Sequence, residues 1–261
     1  MHILGRRADG YHELDSIAAF CDLADRLTFT PAPVFSLALS GPFAASVPAG
    51  ADNLVMKAAR RFAAAFPGFG AYAITLEKNL PAAAGLGGGS ADAAATLRGL
   101  AQLAGYNDDL NAMATELGAD VPVCLASRAS RMRGKGERLE PLPQFAPLHA
   151  VLVNPGIPLA TADVFRALAL APGGAAFAPL AEPVDIGSSR NDLTEPALRL
   201  VPAIAAVLGV LSAQKGVTLV RMSGSGPTCF ALFDSQNEAA AAASAVTAHH
   251  PEWWVKMTVI G

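Results

Sequence analysis

Apolar and polar positions follow two rhythms along this chain, and the rhythms predict different elements. Alternation with a period of two marks strands at Phe35–Leu39 and Ala73–Glu77. An apolar run over Ile17–Leu27 leads into a further strand at Asp25–Thr30. Helix-forming periodicity fills Asp52–Phe66, with Asp52 as its cap, and Ala91–Leu103, with Ser90 as its cap. A second short helix is expected over Asn107–Leu117. Met1–Leu4 reads as the tail of a strand, Gly5–His12 as a loop, and Ser130–Arg138 as a solvated hairpin.

Pro141, Pro143 and Pro147 mark a boundary, which divides the chain into residues 1–146 and 147–261. The second part opens with a strand, His149–Val153, and a helix, Thr161–Leu170. Ala171–Pro183 carries few specifying side chains and is expected to be a mobile loop. One helix is predicted from Asn191 to about Leu211, then strands Val217–Met222 and Thr228–Phe233, a helix Asn237–Ala248 and a strand Trp253–Val259. The order βα…αββαβ describes a mixed α+β layer.

The whole pattern turns on Leu80–Leu97. Gly85, Gly87, Gly88 and Gly89 fall within five residues, between a predicted strand and a predicted helix start. Glycine admits positive φ and a close backbone approach. The free N–H groups and positive end of the following helix favour an anion, most often phosphate. No Lys precedes Ser90, so a P-loop is excluded, and the third glycine of a dinucleotide fingerprint is not at its spacing. The loop is therefore expected to cradle nucleotide phosphates.

Composition narrows the partners. Formal net charge is -3 with no basic block, which argues against nucleic acid. No apolar run approaches a membrane span and no signal peptide opens the sequence, so a cytoplasmic protein is expected. Cys21, Cys124 and Cys229 are scattered, as in neither a disulfide framework nor a zinc site, and no protein metal site is expected. Two polar residues stand out. Asp120 is the sole acid in the apolar stretch Leu117–Ala126, and reads either as a turn residue or as a carboxylate in a partly dry site, fit for proton abstraction. His12, beside Tyr11, reads on composition alone as a surface or capping histidine.

Three separated stretches resemble one family. Pro81-Ala-Ala-Ala-Gly-Leu-Gly-Gly-Gly-Ser-Ala-Asp-Ala-Ala looks like the phosphate-binding motif of the galactokinase, homoserine kinase, mevalonate kinase and phosphomevalonate kinase (GHMP) superfamily. Ser223-Gly-Ser-Gly-Pro-Thr-Cys-Phe resembles its C-terminal glycine motif. Gly5-Arg-Arg-Ala-Asp-Gly-Tyr-His-Glu-Leu, Gly118-Ala-Asp-Val-Pro and Asn191-Asp-Leu resemble the branch that phosphorylates the 2-hydroxyl of a diphosphocytidyl-methylerythritol, in the non-mevalonate route to isoprenoid precursors.

The resemblance implies an α+β fold of two domains, the first like ribosomal protein S5 domain 2 and the second a ferredoxin-like α/β sandwich. It implies that Pro81, Ala82, Ala83, Ala84, Gly85, Leu86, Gly87, Gly88, Gly89, Ser90 and Ala91 hold ATP, with Asn53 and Lys78 lining the adenosine pocket. It implies that Asp120 deprotonates or orients the hydroxyl. Tyr11, His12 and Phe165 would grip the cytosine, with Thr161, Gly224 and Ser225 beside the substrate. Mg²⁺ would accompany ATP, and the protein would be a monomer or weak homodimer. Two alternatives stay open: a homoserine- or mevalonate-type kinase of the same superfamily, and a nucleotide-binding protein without turnover.

The second alternative arises because the family opens with Pro-Ala-Lys-Ile-Asn, whose Lys would precede Met1 here. By analogy with one lost preorganised contact, its absence is expected to lower turnover by about 10²–10³. A version extended upstream is expected to recover that factor in a steady-state assay; equal rates for both lengths would contradict the expectation.

Overall fold

The computed structural model describes all 261 residues. The chain opens with β1 (His2–Arg6), β2 (His12–Ala18), β3 (Arg26–Ala32) and β4 (Ser36–Ser40). Then come α1 (Leu54–Ala65), β5 (Ala71–Glu77), α2 (Gly88–Ala104), α3 (Asn111–Leu117) and α4 (Val121–Ala126). The hairpin β6 (Ser130–Gly134) and β7 (Arg138–Pro141) leads to β8 (Leu148–Asn154), α5 (Thr161–Leu168), α6 (Thr194–Leu200) and α7 (Ala203–Ser212). β9 (Val217–Met222), β10 (Cys229–Phe233), α8 (Gln236–His249) and β11 (Trp254–Ile260) close the chain.

These elements form two compact units that are discontinuous in sequence. One comprises Leu23–Ala82 and Gly87–Ser127; the other comprises Met1–Asp22, Ala83–Leu86 and Arg128–Gly261. Compactness thus divides the chain differently from a single cut at residue 147. The reason lies in burial: Ile3 of β1 and Leu14 of β2 share one core with Val151, Val153, Val164, Leu193 and Ile204.

In the unit of Leu23–Ala82 and Gly87–Ser127, β5 is the central strand of three, antiparallel to β3 and parallel to β4. Its inward residues Ile74 and Leu76 are fully buried, as the alternation predicts. α1 and α2 pack together, burying Phe62, Leu97 and Leu100. α1 is capped by Asn53 and not by the expected Asp52: the Asn53 side-chain oxygen accepts the Val55 N–H at 2.9 Å. Asp52 instead stands 4.0 Å from Lys57 at the surface. α2 begins at Gly88, three residues before the expected start, so Ser90 lies inside its first turn.

The other unit holds two four-stranded antiparallel sheets, β1-β2-β6-β7 and β11-β8-β10-β9. β2 is a strand that the sequence pattern did not reveal, because Asp15 and Ser16 at its centre are buried polar residues. The segment expected to form one helix from Asn191 to Leu211 is two, α6 and α7, broken at Val201–Pro202. Proline lacks the N–H that a continuous helix needs there.

Ala171–Pro183 has no regular helix but is tied down along its length, contrary to the expected mobile loop. Gly173 and Phe177 donate backbone hydrogen bonds to Arg6 and Ile3, and Arg6 donates to Gly174. This covers the open edge of β1. His2 clamps the same segment, its Nδ1 donating to Ala178 O at 3.1 Å and its Nε2 accepting from the Arg190 N–H. Further along, Asp15 Oδ2 accepts the Leu180 N–H at 2.9 Å.

Asp15 is itself held by Arg131, whose Nε and Nη2 reach its two oxygens at 2.7 and 2.8 Å; both side chains are buried. The hairpin is therefore not solvated throughout. Burial would raise the Asp15 pKa, yet the Arg131 guanidinium and the Leu180 N–H hold it below the usual value. Removing one partner leaves an uncompensated buried charge. Arg131→Met is expected to destabilise the protein by about 3–5 kcal/mol in urea unfolding. A loss below about 1 kcal/mol would mean that the pair is solvated.

Candidate active site

The phosphate loop is fixed by backbone, since Pro81–Gly89 carries no polar side chain. Ala84 O accepts the Thr228 N–H at 3.2 Å, and Gly85 O accepts the Ser223 hydroxyl at 2.9 Å. The second glycine turn is closed on itself, Gly226 N–H donating to Ser223 O at 2.8 Å. Gly85 has φ +71°, and a Cβ there would lie 2.4 Å from Ser223 O and 2.7 Å from Gly226 N. Only glycine meets both conditions. The two glycine motifs, separated by more than a hundred residues in sequence, are thus one interlocked structure.

Gly87, with φ +68°, starts α2 and no side chain caps it. The first intrahelical bond of this end is Ala91 N–H to Gly87 O, so Gly88, Gly89 and Ser90 present N–H groups with no helical acceptor. Their absence of a cap is what suits them to an anion.

Asn53 and Lys78, which the resemblance places beside the adenosine, have local side-chain partners. The Asn53 amide is used locally, accepting from Val55 and donating to Pro48 O at 2.7 Å. The Lys78 ammonium is buried against Asp25 and Asp92. Burial pushes the Asp92 carboxyl up to about 6, with the Lys78 charge opposing the shift.

Asp120 occupies the N-cap position of α4 but its carboxylate makes no capping hydrogen bond. The side chain keeps a face open to solvent, while protein crowds the rest of it. This partial desolvation raises its pKa above the ordinary aspartate value. The other end of α4 is anchored by Arg98 of α2, whose Nη1 donates to Cys124 O at 2.8 Å. The helix that opens on the phosphate loop therefore also steadies the helix that carries Asp120. Cys124, between them, feels the charge of both Asp120 and Asp92, and burial pushes its thiol up to about 12.

In the other unit, His12 and Phe165 meet ring to ring at 4.7 Å between centroids, tilted by 34°. His12 is half-buried, and its Nε2 is inaccessible to solvent and has no hydrogen-bond partner. Burial and the Arg6 charge hold its pKa below the usual histidine value, so the ring is neutral near pH 7. Tyr11 is exposed, with Lys135 Nζ 4.7 Å from its ring centroid. Lys135 is a residue that the sequence reading missed, hidden in what looked like an ordinary hairpin turn. Thr161 and Ser225 share a hydrogen bond of 2.8 Å. Asn191 supports the second glycine turn, its amide donating to Met222 O and Gly224 O, each at 2.8 Å.

A glycine loop interlocked at Gly85 with a second glycine turn, followed by an uncapped helix start in an α+β architecture, is the arrangement of the GHMP class of small-molecule kinases. A family profile described as "GHMP kinases N terminal domain" matches residues 53–128, and one described as "GHMP kinases C terminal" matches residues 175–252. Proteins named 4-diphosphocytidyl-2-C-methyl-D-erythritol kinase are similar over almost the whole length. That of Bradyrhizobium sp. strain BTAi1 is 48% identical over 276 residues, covering 98% of this chain and 91% of the relative. That of Methylorubrum extorquens strain PA1 is 50% identical over 275 residues, covering 99% and 94%. A crystal structure of 4-(cytidine 5'-diphospho)-2C-methyl-D-erythritol kinase superposes with TM-score 0.82 at 38% identity, covering 99% of this chain and 94% of that one. The chain belongs to the 4-diphosphocytidyl-2-C-methyl-D-erythritol kinases, within the GHMP kinases.

The geometry separates two of the glycines. Gly87 has positive φ but open space around its Cβ position, whereas Gly85 has both the strain and the clash. Gly87→Ala is expected to cost about 1–2 kcal/mol of stability, and Gly85→Ala clearly more, with loss of ADP binding. Equal thermal shifts for the two variants would contradict the interlock.

Proposed function

We infer that this chain is an ATP-dependent kinase that phosphorylates the 2-hydroxyl of 4-diphosphocytidyl-2-C-methyl-D-erythritol, a step toward isoprenoid precursors. What carries the reading is the uncapped start of α2 together with the open, desolvated carboxylate of Asp120, one helix away. Family membership at about half identity supplies the substrate.

The ATP phosphates lie on the N–H groups of Gly87–Ser90, within the span Pro81–Ala91. Phosphoryl transfer needs mainly positioning and charge neutralisation, and backbone dipoles fixed before the substrate arrives provide both. Asp120 accepts the hydroxyl proton as the oxygen attacks the γ-phosphorus, and the bond from that phosphorus to the β–γ bridging oxygen breaks to release ADP. Mg²⁺ bound with the nucleotide would supply neutralisation of phosphate charge, held mainly by phosphate oxygens.

His12, Tyr11 and Phe165 receive the cytosine, with Thr161, Gly224 and Ser225 around the remainder of the substrate. The buried, unpartnered Nε2 of His12 suits the hydrogen-bonding edge of a base. Seating the base between His12 and Phe165 requires the rings to part from 4.7 Å to about 7 Å, two van der Waals contacts. Lys135, over the Tyr11 ring, brings a cation to the same group of residues. The family-domain division stays at 1–146 and 147–261, with one profile match on each side. A cytoplasmic monomer or weak homodimer completes the reading; no helix is long and apolar enough to cross a membrane.

ADP release coupled to a reporter is expected with ATP and the diphosphocytidyl substrate, and not with homoserine or mevalonate. Turnover with either of the latter would overturn the specificity. Asp120→Asn is expected to lower kcat by about 10²–10⁴. The wild-type rate is expected to fall on acidification at a higher pH than an ordinary aspartate would dictate, because the base must be ionised and its pKa is raised. A flat acid limb would remove Asp120 from that role.

A further inference from the structure

The residues that bound the phosphate loop are tied to each other by a buried ion cluster. The Lys78 ammonium sits between Asp25 and Asp92, at 2.9 Å from Asp92 Oδ2 and in direct contact with Asp25 Oδ2. The side chains of Lys78, Asp25 and Asp92 are 2%, 4% and 8% exposed. Asp25 also uses its other oxygen, accepting the N–H groups of Asn79 at 2.6 Å and Leu80 at 2.9 Å. The Lys78 backbone is held as well, its N–H donating to Ser40 O at 2.8 Å and its O accepting from Phe43.

The cluster lies directly beneath the start of α2. A Cβ on Gly88 would stand 3.2 Å from Lys78 Nζ and 3.7 Å from Asp25 Oδ2. Residues 78–80 enter the phosphate loop, and Gly88 and Asp92 leave it. Between them, Pro81–Gly87 has only proline, alanine, leucine and glycine, with no side chain able to hydrogen-bond. The loop cannot fix its own ends.

Stability alone gives no reason for such a cluster. Apolar residues of similar volume fill a buried site at least as favourably. Two carboxylates for one ammonium also leave an excess of negative charge, tolerable at the positive end of a helix.

We propose that Asp25 and Asp92 are positioning residues for the nucleotide: through Lys78 they lock the strand end that enters the phosphate loop to the helix start that leaves it. Lys78 then acts through the two carboxylates, not by touching the ligand. The proposal deepens, and rests on, the reading of Gly85–Ser90 as the ATP phosphate site.

Asp92→Ala is the test, since it frees the helix start while leaving Lys78 paired with Asp25. The KM for ATP is expected to rise about ten- to a hundredfold, the loss of one charge-assisted hydrogen bond. The KM for the diphosphocytidyl substrate and kcat at saturating ATP are expected to stay near wild type. Asp92→Asn, whose amide oxygen still accepts from Lys78, is expected to restore most of the ATP affinity. A purely structural cluster would lower Tm with the KM for ATP unchanged, or would raise both KM values alike, or would leave Asp92→Asn as impaired as Asp92→Ala; each overturns the proposal. ADP titration by calorimetry separates the two levels. Equal binding by wild type and Asp92→Ala overturns the positioning role alone, whereas no binding by wild type overturns the phosphate-site reading and the proposal with it.

Discussion

The structure depends on one backbone-to-backbone contact, the seating of Gly85 against the Ser223–Gly226 turn. The carbonyl oxygens of Ser223 and Gly226 and the Gly226 amide nitrogen gather where any side chain on residue 85 would have to stand, and the Ser223 hydroxyl donates to Gly85 O. The next residues carry the chain into Gly87 and the start of α2, where three N–H groups have no helical acceptor. Asn191 steadies the turn from behind by donating to Met222 and Gly224. A motif whose own side chains do almost nothing thus becomes rigid through its neighbours. Rigidity is what an anion site made of dipoles needs, because dipoles that must reorient stabilise charge poorly.

Electrostatics follows a consistent division. The carboxylates that hold the architecture are paired and buried, as Asp15 is with Arg131 and Asp25 with Lys78. The carboxylate assigned to chemistry, Asp120, has neither a basic partner nor a cap to serve, and partial burial raises its pKa. An ion pair would have stabilised its charge and weakened it as a base. The histidine assigned to base recognition is likewise unpaired at Nε2 and neutral. Groups left unsatisfied in a protein whose other buried polar groups are paired are where a ligand is expected to complete the bonding.

Much of this was legible in the sequence. Alternation located β4 and β5, the C-terminal strands were read near their observed bounds, and the glycine run located the strand–loop–helix junction. The failures have separate physical causes. Ser90 looked like a cap because serine usually is one, but Gly88 and Gly89 are free to be helical and carry the helix start past it. Asp52 and Asn53 offer similar caps along the sequence, and Asn53, which caps α1, is also held by donating to Pro48 O. β2 hid because Asp15 is buried by a partner more than a hundred residues away. Ala171–Pro183 looked mobile for want of specifying side chains, yet its order comes from backbone pairing with β1, which leaves no mark on composition. Lys78 and Lys135 show the same limit: a lysine's partners are tertiary, so the pairing of Lys78 with Asp92 and of Lys135 with the Tyr11 ring leaves no mark along the chain.

The central claim is that nucleotide phosphates rest on the open N–H groups at the start of α2. Amide hydrogen exchange across residues 78–92, with and without ADP at a concentration shown by calorimetry to saturate, tests it most directly. The account predicts that exchange slows at Gly88–Ser90 on binding, far more than in the following turns of α2. Saturation with ADP while those amides exchange as before would place the phosphates elsewhere and contradict it.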